Sequence, residues 1–119
     1  MAGEVCWVEV NTPDVAGATG FYTQLFGWQA GEGEVGFPYQ MLKRPGEGKN
    51  FGGVMRPPAA GVPPHWLVYF AVADLEAALK QAAKLGGTVL SPVVDLPQGG
   101  RFAAVADPHG AAFALFQAV

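Results

Sequence analysis

Residues 5–27 read VCWVEVNTPDVAGATGFYTQLFG, and residues 67–87 read LVYFAVADLEAALKQAAKLGG. In both stretches a run typical of a β-strand leads into a turn with an acidic residue, Asp14 or Asp74. An amphipathic helical pattern and a glycine follow in each case, and short strand-like runs come after that glycine. A unit that occurs twice predicts two half-domains, which commonly close around a shared cleft.

The patterns predict the element order βαβββ, a linker and βαβββ. In the first half we expect a helix that Thr12 caps, and the predicted elements are strands at 5–11, 28–32, 39–43 and 51–55 and a helix at 15–26. In the second half we expect Gly86 or Gly87 in a left-handed helix cap, and the predicted elements are strands at 67–72, 88–94, 101–106 and 111–117 and a helix at 75–85. The sequence therefore predicts one α+β domain over 1–119, with module one at about 1–56, a proline-rich linker at about 57–64 and module two at about 65–119.

Composition excludes several classes of partner. The chain has 119 residues, half of them hydrophobic, which suffices for one domain with a core. A formal net charge of −3 without a basic run argues against nucleic acid and anionic membrane as partners. The longest apolar stretch, residues 66–73, is too short to cross a bilayer. The start of the chain lacks a secretory signal pattern and Cys6 is the single cysteine, so we expect a cytoplasmic protein.

Short sequence motifs occur along the whole chain in a fixed order. In the first half they are Asp14, Phe21-Tyr22 and Leu25-Phe26-Gly27-Trp28. In the second half they are Val72-Ala73-Asp74-Leu75, Gly86-Gly87, Gly100-Arg101, Asp107-Pro108-His109-Gly110 and Phe113-Ala114-Leu115. Together they resemble the vicinal oxygen chelate superfamily of glyoxalase I, bleomycin-resistance proteins and extradiol dioxygenases, and above all its small bacterial glyoxalase-like members. The resemblance implies two tandem βαβββ modules that form a curved, partly open mixed β-sheet cup with the helices outside.

The resemblance also implies where metal ligands would lie. Metal-using members take His, Gln or Glu ligands from the first and last strands of each module, and the ion holds two neighbouring substrate oxygens. The corresponding positions here are Trp7, Leu67, Ala114 and one residue near 52–55. None of these side chains can bind a divalent cation. We therefore expect neither the superfamily's metal nor another cofactor.

Glu9 is the best candidate for a catalytic residue. Period-two alternation places it with Trp7 and Asn11 on one face of the first strand, which the resemblance turns toward the cup. There Glu9 could act as a general base or orient a ligand. The alternative is a hydrated carboxylate at the rim.

The Gly52-Gly53 pair predicts a bulge or a close backbone approach.

Other polar residues carry weaker predictions. Tyr69, which is equivalent to Glu9 in the second half, could donate a hydrogen bond to a ligand or serve as an aromatic wall. Arg101 could clamp an anionic ligand, although a structural ion pair with Asp95 or Asp107 is favoured. Both histidines, His65 and His109, are expected to face solvent, and Cys6 is expected to be buried on the helix side.

The sequence thus predicts a small-molecule-binding protein. The ligand would be apolar or aromatic and would contact Trp7, Glu9, Phe51, Tyr69 and Arg101. The alternative is an enzyme of the lyase, isomerase or dioxygenase type that is metal-free or uses an unconventional metal site. Members of the superfamily of this size often form dimers, so a homodimer is also expected.

Overall fold

The computed structural model describes residues 2–119, so Met1, the first residue of predicted module one, lies outside the described residues. Two helices and nine strands within these residues confirm the α+β class. The chain divides into two compact units, which we name the N-terminal unit (residues 7–66) and the C-terminal unit (residues 2–6 and 67–119). Neither helix within residues 2–119 combines the length and the apolar character that a membrane span requires.

The N-terminal unit follows the predicted order closely. Its elements are β1 (Val5–Asn11, from Trp7 onward), α1 (Val15–Phe26), β2 (Gln29–Glu32), β3 (Gln40–Lys43) and β4 (Gly52–Met55). The strands are arranged β2-β3-β4-β1. β4 runs parallel to β1, and the other two pairs are antiparallel.

The C-terminal unit repeats this connectivity. Its elements are β5 (His65–Ala71, from Leu67 onward), α2 (Leu75–Lys84), β6 (Thr88–Val89), β7 (Val94–Asp95), β8 (Arg101–Ala106) and β9 (Ala112–Gln117). The arrangement is β5-β9-β8-β6, with β5 parallel to β9 and with β7 also paired to β8. The single strand predicted over 88–94 is therefore two short strands. Pro92 has no N–H to donate, and the Ser91 hydroxyl accepts from the Ala104 amide between them at 2.9 Å.

Both helices begin in the same way, and one predicted cap is wrong. The Asp14 carboxylate accepts from the Gly17 amide at 2.9 Å, and Asp74 accepts from Ala77 at 3.1 Å. Thr12, the predicted cap, lies two residues too early, because the helix starts after Asp14 and not after Thr12.

The predicted glycine stops are confirmed. Gly27 has φ of 74° and donates to the Thr23 carbonyl at the end of α1. Gly86 has φ of 94° and directly follows Leu85, the C-cap residue of α2. Glycine adopts this left-handed conformation without steric cost, which ends each helix sharply.

The core of the N-terminal unit fixes which face of β1 meets α1. Val10 is buried with Leu42 and Val54, and partly buried residues pack on this cluster: Val15, Ala18, Tyr22, Trp28 and Phe51. Since successive side chains of a strand point to opposite faces, Glu9 and Asn11 point away from α1. The predicted alternation of β1 is confirmed at these positions. In the C-terminal unit Leu75, Val105 and Leu115 form the corresponding cluster.

Candidate functional site

Four side chains of the N-terminal unit form one hydrogen-bonded chain, which we name the Glu9 network: Trp7, Tyr39, Glu9 and Asn11. Glu9 and Asn11 are each only 3% exposed. The Tyr39 hydroxyl donates to Glu9 Oε1 at 2.8 Å, and Asn11 Nδ2 donates to Glu9 Oε2 at 2.8 Å. The Trp7 indole Nε1 donates to the Tyr39 hydroxyl at 2.8 Å. Both oxygens of a buried carboxylate therefore accept hydrogen bonds, which offsets the cost of removing it from water.

Strand register and one glycine create the space for this network. Glu9 on β1 pairs with Gly53 on β4, and Gly53 pairs in turn with Met41 on β3. Tyr39 immediately precedes β3, and its ring lies where a Cβ on residue 53 would project. A Cβ on Gly52 would likewise overlap the Val8 carbonyl. The predicted close backbone approach is therefore confirmed at Gly52, whereas Gly53 makes room for a side chain.

The direction of the hydrogen bonds in the network is fixed by its chemistry. Burial raises the pKa of Tyr39, and the nearby Glu9 charge raises it further. The phenol therefore stays protonated and donates to Glu9. An indole N–H can only donate, so the Tyr39 oxygen is its acceptor. The Tyr39 hydroxyl thus connects the buried carboxylate to the half-buried Trp7 ring.

The residues at the implied ligand positions do not fit a metal ion. The strand pairing identifies the fourth position, which is expected near 52–55. Ala114 pairs with Tyr69, and Glu9 is the counterpart of Tyr69 in the N-terminal unit. The residue that pairs with Glu9 in the same way is Gly53. The four positions therefore hold Trp7, Gly53, Leu67 and Ala114. None of these side chains offers an acceptor lone pair for a cation, and the Tyr39 ring fills the space beside residue 53. Within residues 2–119, no three His, Cys, Asp or Glu side chains lie together in a metal-binding group.

In the C-terminal unit, Tyr69 and Arg101 have neighbours of their own. Tyr69 is 6% exposed, and its ring packs 5.6 Å from that of Phe102. Arg101 Nε pairs with Asp95 at 3.1 Å, and Nη1 pairs with Glu76 at 3.4 Å. The favoured structural pairing of Arg101 with Asp95 is confirmed. Asp107, the other suggested partner, instead accepts from the backbone of its own turn.

The structure does not bring Phe51 or Cys6 to the Glu9 network. Phe51 packs on the core cluster beneath α1, with its ring 4.7 Å from that of Trp28. The predicted burial of Cys6 is wrong, because Cys6 is exposed. Partial desolvation still raises the pKa of its thiol, so little thiolate forms near neutral pH and Cys6 is a poor nucleophile.

The two histidines also lie apart from the network. His109 is exposed in the turn after β8, as predicted. His65 is half-buried, and its Nδ1 lies 2.8 Å from the Pro63 carbonyl. His65 is one wall of a separate groove of about 210 Å³, whose other lining residues are Val10, Thr12, Ala18, Tyr22, Pro64 and Trp66. Val10 belongs to the α1 face of β1, so this groove and the Glu9 network lie on opposite faces.

Sequence reasoning missed Asn11 and Tyr39 as site residues. Asn11 had a local signal, since it lies two residues beyond Glu9 on the same face of β1. Tyr39 had none of its own, because it reaches Glu9 only through the pairing of β3 with β4 and of β4 with β1. The Gly52-Gly53 pair was an indirect signal, because a missing side chain on a central strand leaves room for a neighbour.

Comparison of the chain with known proteins gives one family match and several relatives. A family model described as the Glyoxalase/Bleomycin resistance protein/Dioxygenase superfamily matches residues 5–115. "Putative glyoxylase CFP32" of Mycobacterium tuberculosis is 42% identical over 119 residues, which cover 97% of this chain and 44% of the relative. "Anthracycline biosynthesis protein DauV" of Streptomyces sp. strain C5 is 32% identical, covering 97% of this chain and 47% of the relative. The chain thus spans about half the length of these relatives.

Solved structures share the fold. The methylmalonyl-CoA epimerase of Mycobacterium tuberculosis superposes with a TM-score of 0.68 at 17% identity, over 98% of this chain and 88% of the epimerase chain. At this identity the likeness concerns the fold and does not extend to the reaction.

Proposed function

The chain belongs to the Glyoxalase/Bleomycin resistance protein/Dioxygenase superfamily, and on this premise we propose that it binds a small, largely apolar or aromatic molecule without the superfamily's metal ion. The observation that carries the proposal is the content of the four ligand positions. None of the four residues there, Trp7, Gly53, Leu67 and Ala114, has a side chain that can coordinate a metal ion, and only the side chain of Trp7 is not buried. Trp7 therefore supports a ligand that is held by apolar contact and not by coordination of its oxygens.

Trp7 is the proposed binding surface in the N-terminal unit. Its ring is half-buried and lies on the face of β1 opposite to α1. The indole N–H is engaged by Tyr39, so the ring offers mainly its flat face to a ligand. Aromatic molecules stack on such a face, and burial of a large side chain against them is favourable.

Glu9 takes a different part in the proposal from the one that the sequence suggested. The sequence suggested it as the main polar contact of the ligand. Its burial and the hydrogen bonds from Tyr39 and Asn11 support instead a role in holding Tyr39 in place. One observation favours an enzyme as second candidate: Glu9 is a buried carboxylate held in a defined position by two hydrogen bonds, and positioned carboxylates serve as general bases in enzymes.

The variant Glu9→Gln separates the two candidates. It preserves the shape of the side chain and removes its charge. For a binding protein we expect a change in ligand affinity and no effect on chemistry. For an enzyme that uses Glu9 as a base, turnover of any compound that the wild type converts should fall by about 10²-fold or more, with affinity nearly unchanged. Such a loss of turnover, measured by following the compound with NMR, would overturn the binding-protein proposal.

We also propose a homodimer. Three large apolar side chains of α1, those of Phe21, Leu25 and Phe26, are each more than half exposed. Covering a cluster of this kind is a common reason for self-association. Light scattering at micromolar concentration should give about twice the 12.4 kDa mass of the chain. A mass near that of the single chain would contradict the dimer.

A further inference from the structure

We propose that Tyr39 is a positioning residue that fixes the Trp7 ring as the ligand-binding surface, an inference that rests on the proposed function of Trp7. Tyr39 lies between two groups with different surroundings. On one side its hydroxyl donates to Glu9, which is 3% exposed. On the other side it accepts from the half-buried Trp7. It thereby links the half-buried Trp7 side chain to a buried carboxylate.

The Tyr39 ring is held in place independently of its hydroxyl. Gly53 leaves the space into which the ring packs, and the ring of Phe37 lies edge-on at 5.9 Å. Tyr39 itself is 8% exposed. Removal of the hydroxyl alone therefore leaves the ring where it is and deletes only the link between Glu9 and Trp7. This makes Tyr39→Phe a specific test of positioning.

The same link determines what Trp7 offers to a ligand. An indole ring has one hydrogen-bond donor, and in this protein Tyr39 accepts that bond. A ligand on Trp7 is therefore recognised by stacking and apolar contact, which selects planar aromatic molecules over ligands that need a donor. Fixing the ring also removes the entropy cost of ordering it upon binding.

The test uses indole as the probe, because it is neutral, planar and lacks a lone pair in the ring plane that a freed Trp7 N–H could bind. Proteins labelled with ¹⁵N give one indole N–H signal for each tryptophan, and Trp7→Phe identifies the signal of Trp7. The variants are Tyr39→Phe, Trp7→Phe, the combination of these two, and Trp7→Ala. Tyr22→Phe is the control, since it removes a hydroxyl from α1 on the opposite face of β1.

We expect two results together. In Tyr39→Phe the Trp7 N–H should exchange with solvent at least about 10-fold faster, because it loses its acceptor, and affinity for indole should fall about fivefold. In the Trp7→Phe background, Tyr39→Phe should change affinity by less than about twofold, because the positioned group is already gone. Tyr22→Phe should leave both the exchange rate of the Trp7 N–H and the affinity for indole unchanged.

Two outcomes would overturn the inference and leave the proposed function standing. One is an unchanged exchange rate of the Trp7 N–H in Tyr39→Phe. The other is an equal loss of affinity in the presence and absence of Trp7, which would mean that Tyr39 has a merely structural role. A different result, in which Trp7→Phe and Trp7→Ala both leave affinity for indole unchanged, would overturn the proposed function itself.

Discussion

Gly53→Ala is expected to destabilise the protein by roughly 2–6 kcal/mol, the largest effect that we predict for a single added methyl group. The new Cβ would overlap the Tyr39 ring, which is packed inside the unit and cannot simply turn outward. Overpacking alone costs about 1–3 kcal/mol. If the ring moves away, Glu9 also loses the hydrogen bond that the Tyr39 hydroxyl donates to it, which costs about 1–3 kcal/mol more.

Urea unfolding measures this loss, and Gly31→Ala is the matched control. Gly31 also lies in a strand, β2, but no atom is within 4 Å of the Cβ that it would gain. Its free energy of unfolding should change by no more than about 0.5 kcal/mol. On a Tyr39→Ala background, Gly53→Ala should cost little, because the ring that it would meet is absent. Equal stability of Gly53→Ala and Gly31→Ala would contradict the packing described here.

Trp7→Ala is expected to weaken ligand binding by roughly 1–3 kcal/mol, the scale of burying one large apolar side chain. The variant removes the whole proposed surface, whereas Tyr39→Phe only loosens it. The free energy of unfolding should be affected less than by Gly53→Ala, because Trp7 is half-buried and its loss leaves Tyr39 with Glu9 as a partner.

Trp66→Ala is the control for Trp7→Ala. Trp66 is 41% exposed and packs edge-on against Tyr22, next to the separate groove. Removing it deletes an indole of the same size outside the Glu9 network. Indole binding should survive Trp66→Ala and not Trp7→Ala. The reverse order of effects would place the ligand in the groove beside α1.

Local sequence patterns were sufficient for the architecture and for part of the site. The strand, turn, helix and glycine pattern that occurs twice predicts both helices and the leading strands. It does so because helix caps, glycine stops and apolar periodicity depend on residues that are close together in the sequence. The alternation of β1 also separated Val10 from Glu9 correctly, since the period of a strand is fixed by its backbone. The prediction that Thr12 caps the first helix is wrong because the side chains of Thr12 and Asp14 can both cap a helix, and this helix begins directly after Asp14.

The remainder of the site depended on contacts that are distant in sequence. Alternation identifies the face of Cys6 but not whether another element covers that position, and Cys6 is exposed. The sequence predicts that Phe51 contacts the same ligand as Trp7, yet the Phe51 ring packs with Trp28 in the core. Tyr39 meets Glu9 across 30 residues of chain and two strand pairings. Strand register, which no local pattern specifies here, brings Tyr39 to Glu9, and the positions of Cys6 and Phe51 depend on which elements pack against them.

The central claim, that this protein binds an aromatic ligand on Trp7 without a metal ion, is tested most directly by one titration. Ligand-observed NMR should measure the affinity of indole for wild-type protein and for Trp7→Ala, each before and after treatment with EDTA. We predict that EDTA leaves wild-type affinity unchanged and that Trp7→Ala is weaker in both conditions. Loss of binding after EDTA, with recovery on adding one equivalent of a divalent transition metal, would contradict the account.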